Sequence, residues 1–168
     1  MDTPYIYVAC LASYNSGILH GKWIDAFQDP DLIYDEIYQM LRESPVDIAE
    51  DYAIHDYEGF LNIEISEFES ILNVAEIADF VIKYGELGAQ LCNEYSMEDA
   101  EKFLEECYQG SYDSEVDFAR AYFDDCYSNE IPENLLFYID YESFARDLFI
   151  NDYVSVESNG QTHVFCYF

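Results

Sequence analysis

Thirty-six aspartates and glutamates stand against only six lysines and arginines in this chain, a formal net charge of -30. Nearly every acid lacks a basic partner, so any fold must hold against its own repulsion. Charge of this density usually accompanies disorder. Here, however, 51% of the residues are hydrophobic and 18% aromatic, with 17 Tyr and 12 Phe, enough apolar surface to order the chain. Like charges at helical i,i+4 spacing cost roughly 0.2–0.5 kcal/mol per pair, so something other than stability favours the acids. Halophilic adaptation also yields acidic surfaces, but it fits less well with a chain so rich in Tyr and Phe.

An acidic protein is a poor ligand for nucleic acid or an anionic membrane and a good one for a basic surface. The apolar runs are a few residues long, and the opening Met-Asp-Thr-Pro-Tyr has neither a basic nor a hydrophobic leader region; neither signal peptide nor membrane span is expected. Cys10, Cys92, Cys107, Cys126 and Cys166 are odd in number, scattered and without a CxxC pair, as expected of reduced thiols in the cytoplasm.

The hydrophobic pattern changes character twice, predicting an α+β chain of three small modules: a mixed sheet and helix module over 1–62, a helical bundle over 63–109 and a second mixed module over 110–168. In the first, Tyr5–Leu11 and Ile18–Ala26 read as a hairpin about Asn15-Ser16-Gly17. Asp29 caps a helix with Pro30 at its first position and Ile33, Ile37 and Leu41 on one face, and Tyr52–Tyr57 reads as a third strand. In the second, Ser66-Glu67-Phe68-Glu69 reads as a capping box, with Phe68, Ile71, Leu72, Ala75 and Phe80 or Ile82 as the apolar stripe up to Gly85. A short helix over Glu86–Cys92 follows, then one from the Ser96 cap to about Tyr108 with Ala100, Phe103, Leu104 and Cys107 inward. The third has a helix over Ser114–Cys126 (Val116, Ala119, Tyr122 and Phe123 inward), a short helix after Pro132 and another from Asp140 to near Ile150. A final hairpin joins Tyr153–Glu157 to Thr162–Phe168 across Asn159-Gly160.

The acids recur in every module. Asp47, Glu50 and Asp51, then Glu64, Glu67 and Glu69, belong to the first half. Glu98, Glu101 and Glu105 fall at i, i+3, i+7 and predict an anionic line of roughly 10 Å at 1.5 Å rise per residue. Asp113, Asp117, Asp124 and Asp125 continue the series. Duplex DNA carries about one negative charge per 1.7 Å of axis, so the net charge equals that of roughly 50 Å of duplex, or ~15 base pairs. These acids are the candidate phosphate mimics.

Enzyme chemistry finds little support. A glycosidase-type pair needs two carboxylates in divided environments, and nothing singles out two among 36. Asp29, Asp31 and Asp35 fail as a calcium loop, because Tyr34 stands where Gly is required and Met40 where Glu is. His163 and Cys166 have ligand-like spacing without a second pair, and His55 beside Asp56 reads as a structural histidine rather than a base. No P-loop, dinucleotide fingerprint or nucleophile elbow is present. No catalytic residue, cofactor or metal is expected.

Several stretches together resemble the ArdA-type antirestriction family: Tyr5-Ile6-Tyr7-Val8-Ala9 with Tyr14-Asn15, Gly17 and Gly21-Lys22-Trp23; Glu50–Glu58; and Ile131–Leu148, which is similar to the family's antirestriction motif. The likeness runs through nearly the whole chain in order, although residues 62–110 match mainly in acidity and helicity. The resemblance implies a curved, elongated three-module chain that dimerises through its C-terminal module, imitates bent B-form DNA and blocks type I restriction-modification enzymes at their DNA groove. It also implies that Pro132, Leu135, Tyr138, Ile139, Tyr141 and Phe144, with Asp140, Arg146 and Asp147, lie at or near the dimer interface. The alternative partners are another basic DNA-binding protein or, from a different class, the substrate of a small carboxylate-dependent hydrolase.

Overall fold

The computed structural model describes residues 2–127 and 130–167. The fold is α+β, with two three-stranded antiparallel sheets separated by helices. The chain divides into two compact units, Met1–Gly85 and Glu86–Phe168, and this division falls inside the segment that the sequence reads as a helical bundle.

In the first unit β1 (Tyr5–Cys10) is the central strand, with β2 (Gly21–Asp25) on one side and β3 (Tyr52–Glu58) on the other. The predicted hairpin exists as an antiparallel pairing, Tyr7 opposite Trp23. Its connection is not a tight turn: Leu11–Asn15 forms a one-turn helix, α1, and β2 starts only at Gly21. Gly17 still supplies the positive φ of 74° that ends α1. Helix α2 (Pro30–Arg42) starts as predicted, with the Asp29 side chain accepting from the Asp31 N–H and Pro30 in the first turn. It buries Ile33, Ile37, Met40 and Leu41, and these join Ile6, Val8 and Ile24 of the sheet in the core. Gly59, at φ +81°, lets the chain leave β3 against the N-terminal segment; a Cβ there would lie 2.7 Å from the Thr3 carbonyl oxygen.

Helix α3 (Ile71–Leu91) begins four residues later than the capping box predicts. Ser66 and Glu69 do interact, Oγ to Oε2 at 2.8 Å, but they close a turn, and Ser70 caps the helix through the Asn73 N–H at 3.2 Å. Of the predicted stripe Ile71, Ala75 and Phe80 are buried, joined by Val74, Ala78 and Val81, whereas Phe68 and Leu72 are 72% and 58% exposed. Spacing of i, i+3, i+7 and i+10 from Ile71 explains this, since Phe68 lies before the helix and Leu72 falls off the stripe. Gly85 interrupts α3 at φ 60°, ψ -149°, which separates the predicted Glu86 helix from the one before it.

In the second unit α4 (Met97–Lys102) has its Ser96 cap, and the helical run extends nearly to Tyr108 as predicted, although its last turn is not α-helical. A π-helical turn spans Phe103–Cys107, and the chain then enters a strand absent from the sequence reading, β4 (Tyr108–Tyr112). Phe103 and Cys107 are buried as expected, Leu104 only half so. Helix α5 (Glu115–Cys126) is capped by Ser114, and helix α6 (Tyr141–Asn151) by Asp140. Between them Glu133–Tyr138 is a 3₁₀ helix. Strands β5 (Tyr153–Ser158) and β6 (Gln161–Cys166) pair across Asn159-Gly160, both at positive φ as a tight hairpin requires. Phe168, the predicted end of that strand, lies outside the described residues. The sheet order β4-β6-β5 puts the two C-terminal strands at its centre and one edge.

Phe118, not singled out by the sequence pattern, anchors this unit's core with Ala119, Ala145, Leu148 and Val164. Val116 and Tyr122, predicted inward, are half-buried against that cluster. Phe118 sits 4.8 Å from Tyr153, 5.2 Å from Tyr112 and 5.7 Å from Phe149, ring centre to ring centre and edge to face. Aromatic rings in such geometry gain about 0.5–1.5 kcal/mol per pair beyond their buried area. The abundant Tyr and Phe thus supply the cohesion that the surface charge opposes.

Candidate partner-binding surface

Not one of the 36 carboxylates is buried, and only Asp25, Glu36, Glu69, Glu101 and Glu115 are even half-buried. Each unit keeps the imbalance: Lys22, Arg42 and Lys83 are the bases of the first, Lys102, Arg120 and Arg146 those of the second. The folding pattern produces this directly, because each helix turns its apolar stripe inward and leaves the acids on the opposite side.

In the first unit Asp47, Glu50 and Asp51 occupy the exposed segment between α2 and β3, whose end is fixed by the Leu11 N–H donating to the Asp51 carbonyl at 3.1 Å. Glu64 and Glu67 are exposed in the segment before α3; the Ile54 N–H donates to the Glu67 carbonyl at 2.9 Å, and His55 Nε2 lies 3.9 Å from the Glu67 carboxylate. Glu69 is held by Asn73 and Ser66, and these hydrogen bonds keep its carboxyl below the usual range. Glu36 is lowered in the same sense, chiefly by its hydrogen bond to the Lys22 ammonium. Glu76 and Asp79 of α3 are also exposed, i and i+3 on one helical face. The sequence reading did not single them out; they share their face of the helix with the exposed Leu72, which that reading had placed inward.

In the second unit the predicted line of Glu98, Glu101 and Glu105 is broken. Glu98 is exposed on α4, Glu101 is half-buried, and Glu105 belongs to the π turn, whose wider turn rotates it away from the α-helical register. Asp113 and Asp117 flank the start of α5, where carboxylates favour the positive end of the helix; Ser114 Oγ donates to Asp117 Oδ2 at 2.6 Å. Asp124 and Asp125, both exposed, occupy the last turn of that helix, which contains no basic residue. Acids there oppose the helix dipole, at a cost of about 0.3–1 kcal/mol each.

The segment resembling the antirestriction motif divides into two groups. Tyr141 and Phe144 pack inward, with the Phe123 ring 5.6 Å from Tyr141 and 5.9 Å from Phe144, and Ile139 is half-buried. Pro132, Leu135 and Tyr138 face solvent, Tyr138 83% exposed, as does Phe137 at 91%, which the sequence reading did not include. Asp140 is committed to capping α6: it accepts from the Ser143 N–H and Oγ, which hold its carboxyl below the usual range. Arg146 and Asp147 are exposed neighbours, 3.9 Å apart.

Among the described residues no group of three or more His, Cys, Asp or Glu gathers as a metal-ligand set. His163 stacks on Tyr108 and its Nδ1 lies 2.9 Å from the Tyr108 hydroxyl, while His55 meets the edge of Tyr14. Tyr122 is pushed up to about 12, above all by Tyr153 beside it, so its hydroxyl stays protonated. No helix among the described residues is long and apolar enough to cross a membrane. The surface carries a dense array of solvated carboxylates with few compensating bases, together with an aromatic segment, Phe137 and Tyr138, exposed to solvent.

No curated protein matches the chain. Residues 6–163 match the family described as Antirestriction protein (ArdA), nearly the full length and, Tyr5 apart, the stretches that carried the resemblance in sequence. The chain therefore belongs to the ArdA family of antirestriction proteins.

Proposed function

We propose that this protein imitates the phosphate array of B-form DNA and inhibits type I restriction-modification enzymes by occupying the groove that normally holds their DNA. The observation carrying this reading is that none of the 36 carboxylates is buried, and all but five are exposed, on a folded, aromatic-cored chain with six bases. Lys and Arg that hold phosphates would meet carboxylates instead, releasing counterions from both surfaces without base-specific contacts. The candidate contacts are Asp47, Glu50, Asp51, Glu64, Glu67, Glu98, Glu105, Asp113, Asp117, Asp124 and Asp125, with the half-buried Glu69 and Glu101 secondary. Acids in the last turn of α5 support the reading, since they stand where helix stability disfavours them.

The protein acts as a homodimer in the cytoplasm, without catalysis or cofactor, on this proposal. Exposed Leu135, Phe137 and Tyr138 on a 3₁₀ helix that buries none of its own residues offer an apolar surface for self-association. The test is a restriction and methylation assay with purified type I enzyme and added protein, alongside the hydrodynamic mass. Inhibition of cleavage or modification at twice the monomer mass supports both parts. Undiminished cleavage and methylation at saturating protein overturns the first, and a monomer at working concentration overturns the second.

A further inference from the structure

Within the first unit, the segment before α2 and the outer face of α3 border a groove of about 470 Å³ that combines apolar and anionic walls. Phe27 and Leu72, 46% and 58% exposed, line it with buried Ala75, and the carboxylates of Asp29, Glu76 and Asp79 line it too. The Asp29 carboxylate already accepts from the Asp31 N–H through one oxygen, leaving its other oxygen for a partner. Phe27 and Leu72 bring exposed apolar area into the same groove as three acids, and a phosphate array contains no counterpart to that apolar wall.

We infer that this groove seats an arginine side chain of the basic partner, so that binding has a salt-resistant, apolar component in addition to charge. Arginine fits both walls. Its methylene stem packs on Leu72 and Ala75, its planar guanidinium stacks on an aromatic face such as Phe27, and its forked donors pair with carboxylates. A lysine of similar length provides the stem and the charge but neither the stacking plane nor the fork. The inference deepens the mimicry reading by locating one defined contact on it, and for the enzyme target it rests on that reading.

Two arms of one experiment separate the two. In the first, the protein displaces labelled duplex from a type I restriction enzyme across a salt series, comparing the unaltered protein with Leu72→Ser, Phe27→Ser and the double variant Glu76→Gln with Asp79→Asn. The apolar variants should weaken binding about tenfold at every salt concentration, with an unchanged slope of log affinity against log salt. The double variant should instead flatten the slope, by about one for each charge removed. Thermal unfolding of the apolar variants should match the parent, since both side chains are exposed. In the second arm, octa-arginine and octa-lysine peptides serve as probes: octa-arginine should bind the parent protein more tightly, and Leu72→Ser and Phe27→Ser should abolish the preference. Displacement of DNA that is identical for parent and apolar variants, or equal binding of both peptides, overturns the groove. Failure of the parent to displace DNA while the arginine preference persists overturns the mimicry reading and leaves the groove standing.

Discussion

Phe118 and Phe137 are nineteen positions apart in a chain rich in phenylalanine, and the structure assigns them opposite roles. Phe118 is 3% exposed and touches Tyr112, Tyr122, Phe149 and Tyr153 ring to ring; Phe137 is 91% exposed. Replacing Phe118 by Ala removes a buried ring, which costs about 3–5 kcal/mol from lost transfer and the cavity left behind. The edge-to-face partners place the expected value toward the upper half of that range. In a unit of this size each kcal/mol moves the midpoint by about 4–8 °C, so Phe118→Ala should unfold the second unit at a far lower temperature. Because the core works against like-charge repulsion, raising the salt from about 0.05 M to 0.5 M, where the screening length is only a few Å, should restore part of the loss. Phe137→Ala should leave the monomer's midpoint unchanged. The assay is thermal and urea unfolding followed by circular dichroism at two salt concentrations. A loss below about 1 kcal/mol for Phe118→Ala, or an equal loss for both variants, would refute the placement of the aromatic core.

Ser114→Ala removes the cap of α5 and should cost about 1 kcal/mol in urea unfolding. Asp125→Asn should act in the opposite direction, raising stability by about 0.3–1 kcal/mol at low salt, because it relieves an acid in the last turn of that helix. Glu36, Glu69 and Asp140 have folded pKa values below their ordinary values of 4.5, 4.5 and 3.8, so their contribution to stability is complete above those values and is lost as pH falls through the folded ones. Acid titration of the triple variant Glu36→Gln, Glu69→Gln and Asp140→Asn should therefore show less pH dependence below about 4.5 than the parent, and an identical pH profile would contradict the assigned hydrogen bonds. A lone change such as Asp117→Asn should barely alter inhibition of a type I enzyme, whereas neutralising Asp113, Asp117, Asp124 and Asp125 together should weaken it strongly; abolition by the single change would point to a discrete hot spot.

Elements written by short-range chemistry were legible in the sequence. Asp29-Pro30, Ser96, Ser114 and Asp140 each mark a helix start because a side-chain oxygen satisfies an unpaired N–H, and Asn159-Gly160 marks a hairpin because both residues tolerate positive φ. Ser66-Glu67-Phe68-Glu69 carried the same signature and misled, since its two side chains bond to each other without a helix following directly. Strand β4 was not legible. Tyr-Gln-Gly-Ser-Tyr has weak strand preference of its own and is extended because β6 pairs with it from more than fifty residues away. The π turn before it adds a residue to the helical turn, and no local rule announces that.

The candidate surface followed a similar division. That the acids would be solvated was implicit in their number, and the structure buries none of them. Their spatial rows were not, because a π turn moves a carboxylate out of the α-helical register, as Glu105 shows, and Glu76 and Asp79 were not singled out. The division of the motif segment was equally hidden. Phe144 faces the core from α6, while Leu135, Phe137 and Tyr138 sit on a 3₁₀ helix whose threefold turn gives no apolar periodicity to read.

The most direct measurement is the affinity of this protein for a purified type I restriction-modification enzyme, obtained by displacing labelled duplex DNA over a salt series from about 50 to 200 mM. Mimicry of phosphates predicts mutually exclusive binding and, with six to ten ionic contacts, an affinity that falls by roughly 10³–10⁵ across that range. Simultaneous binding of protein and duplex, or an affinity that does not change with salt, would contradict it.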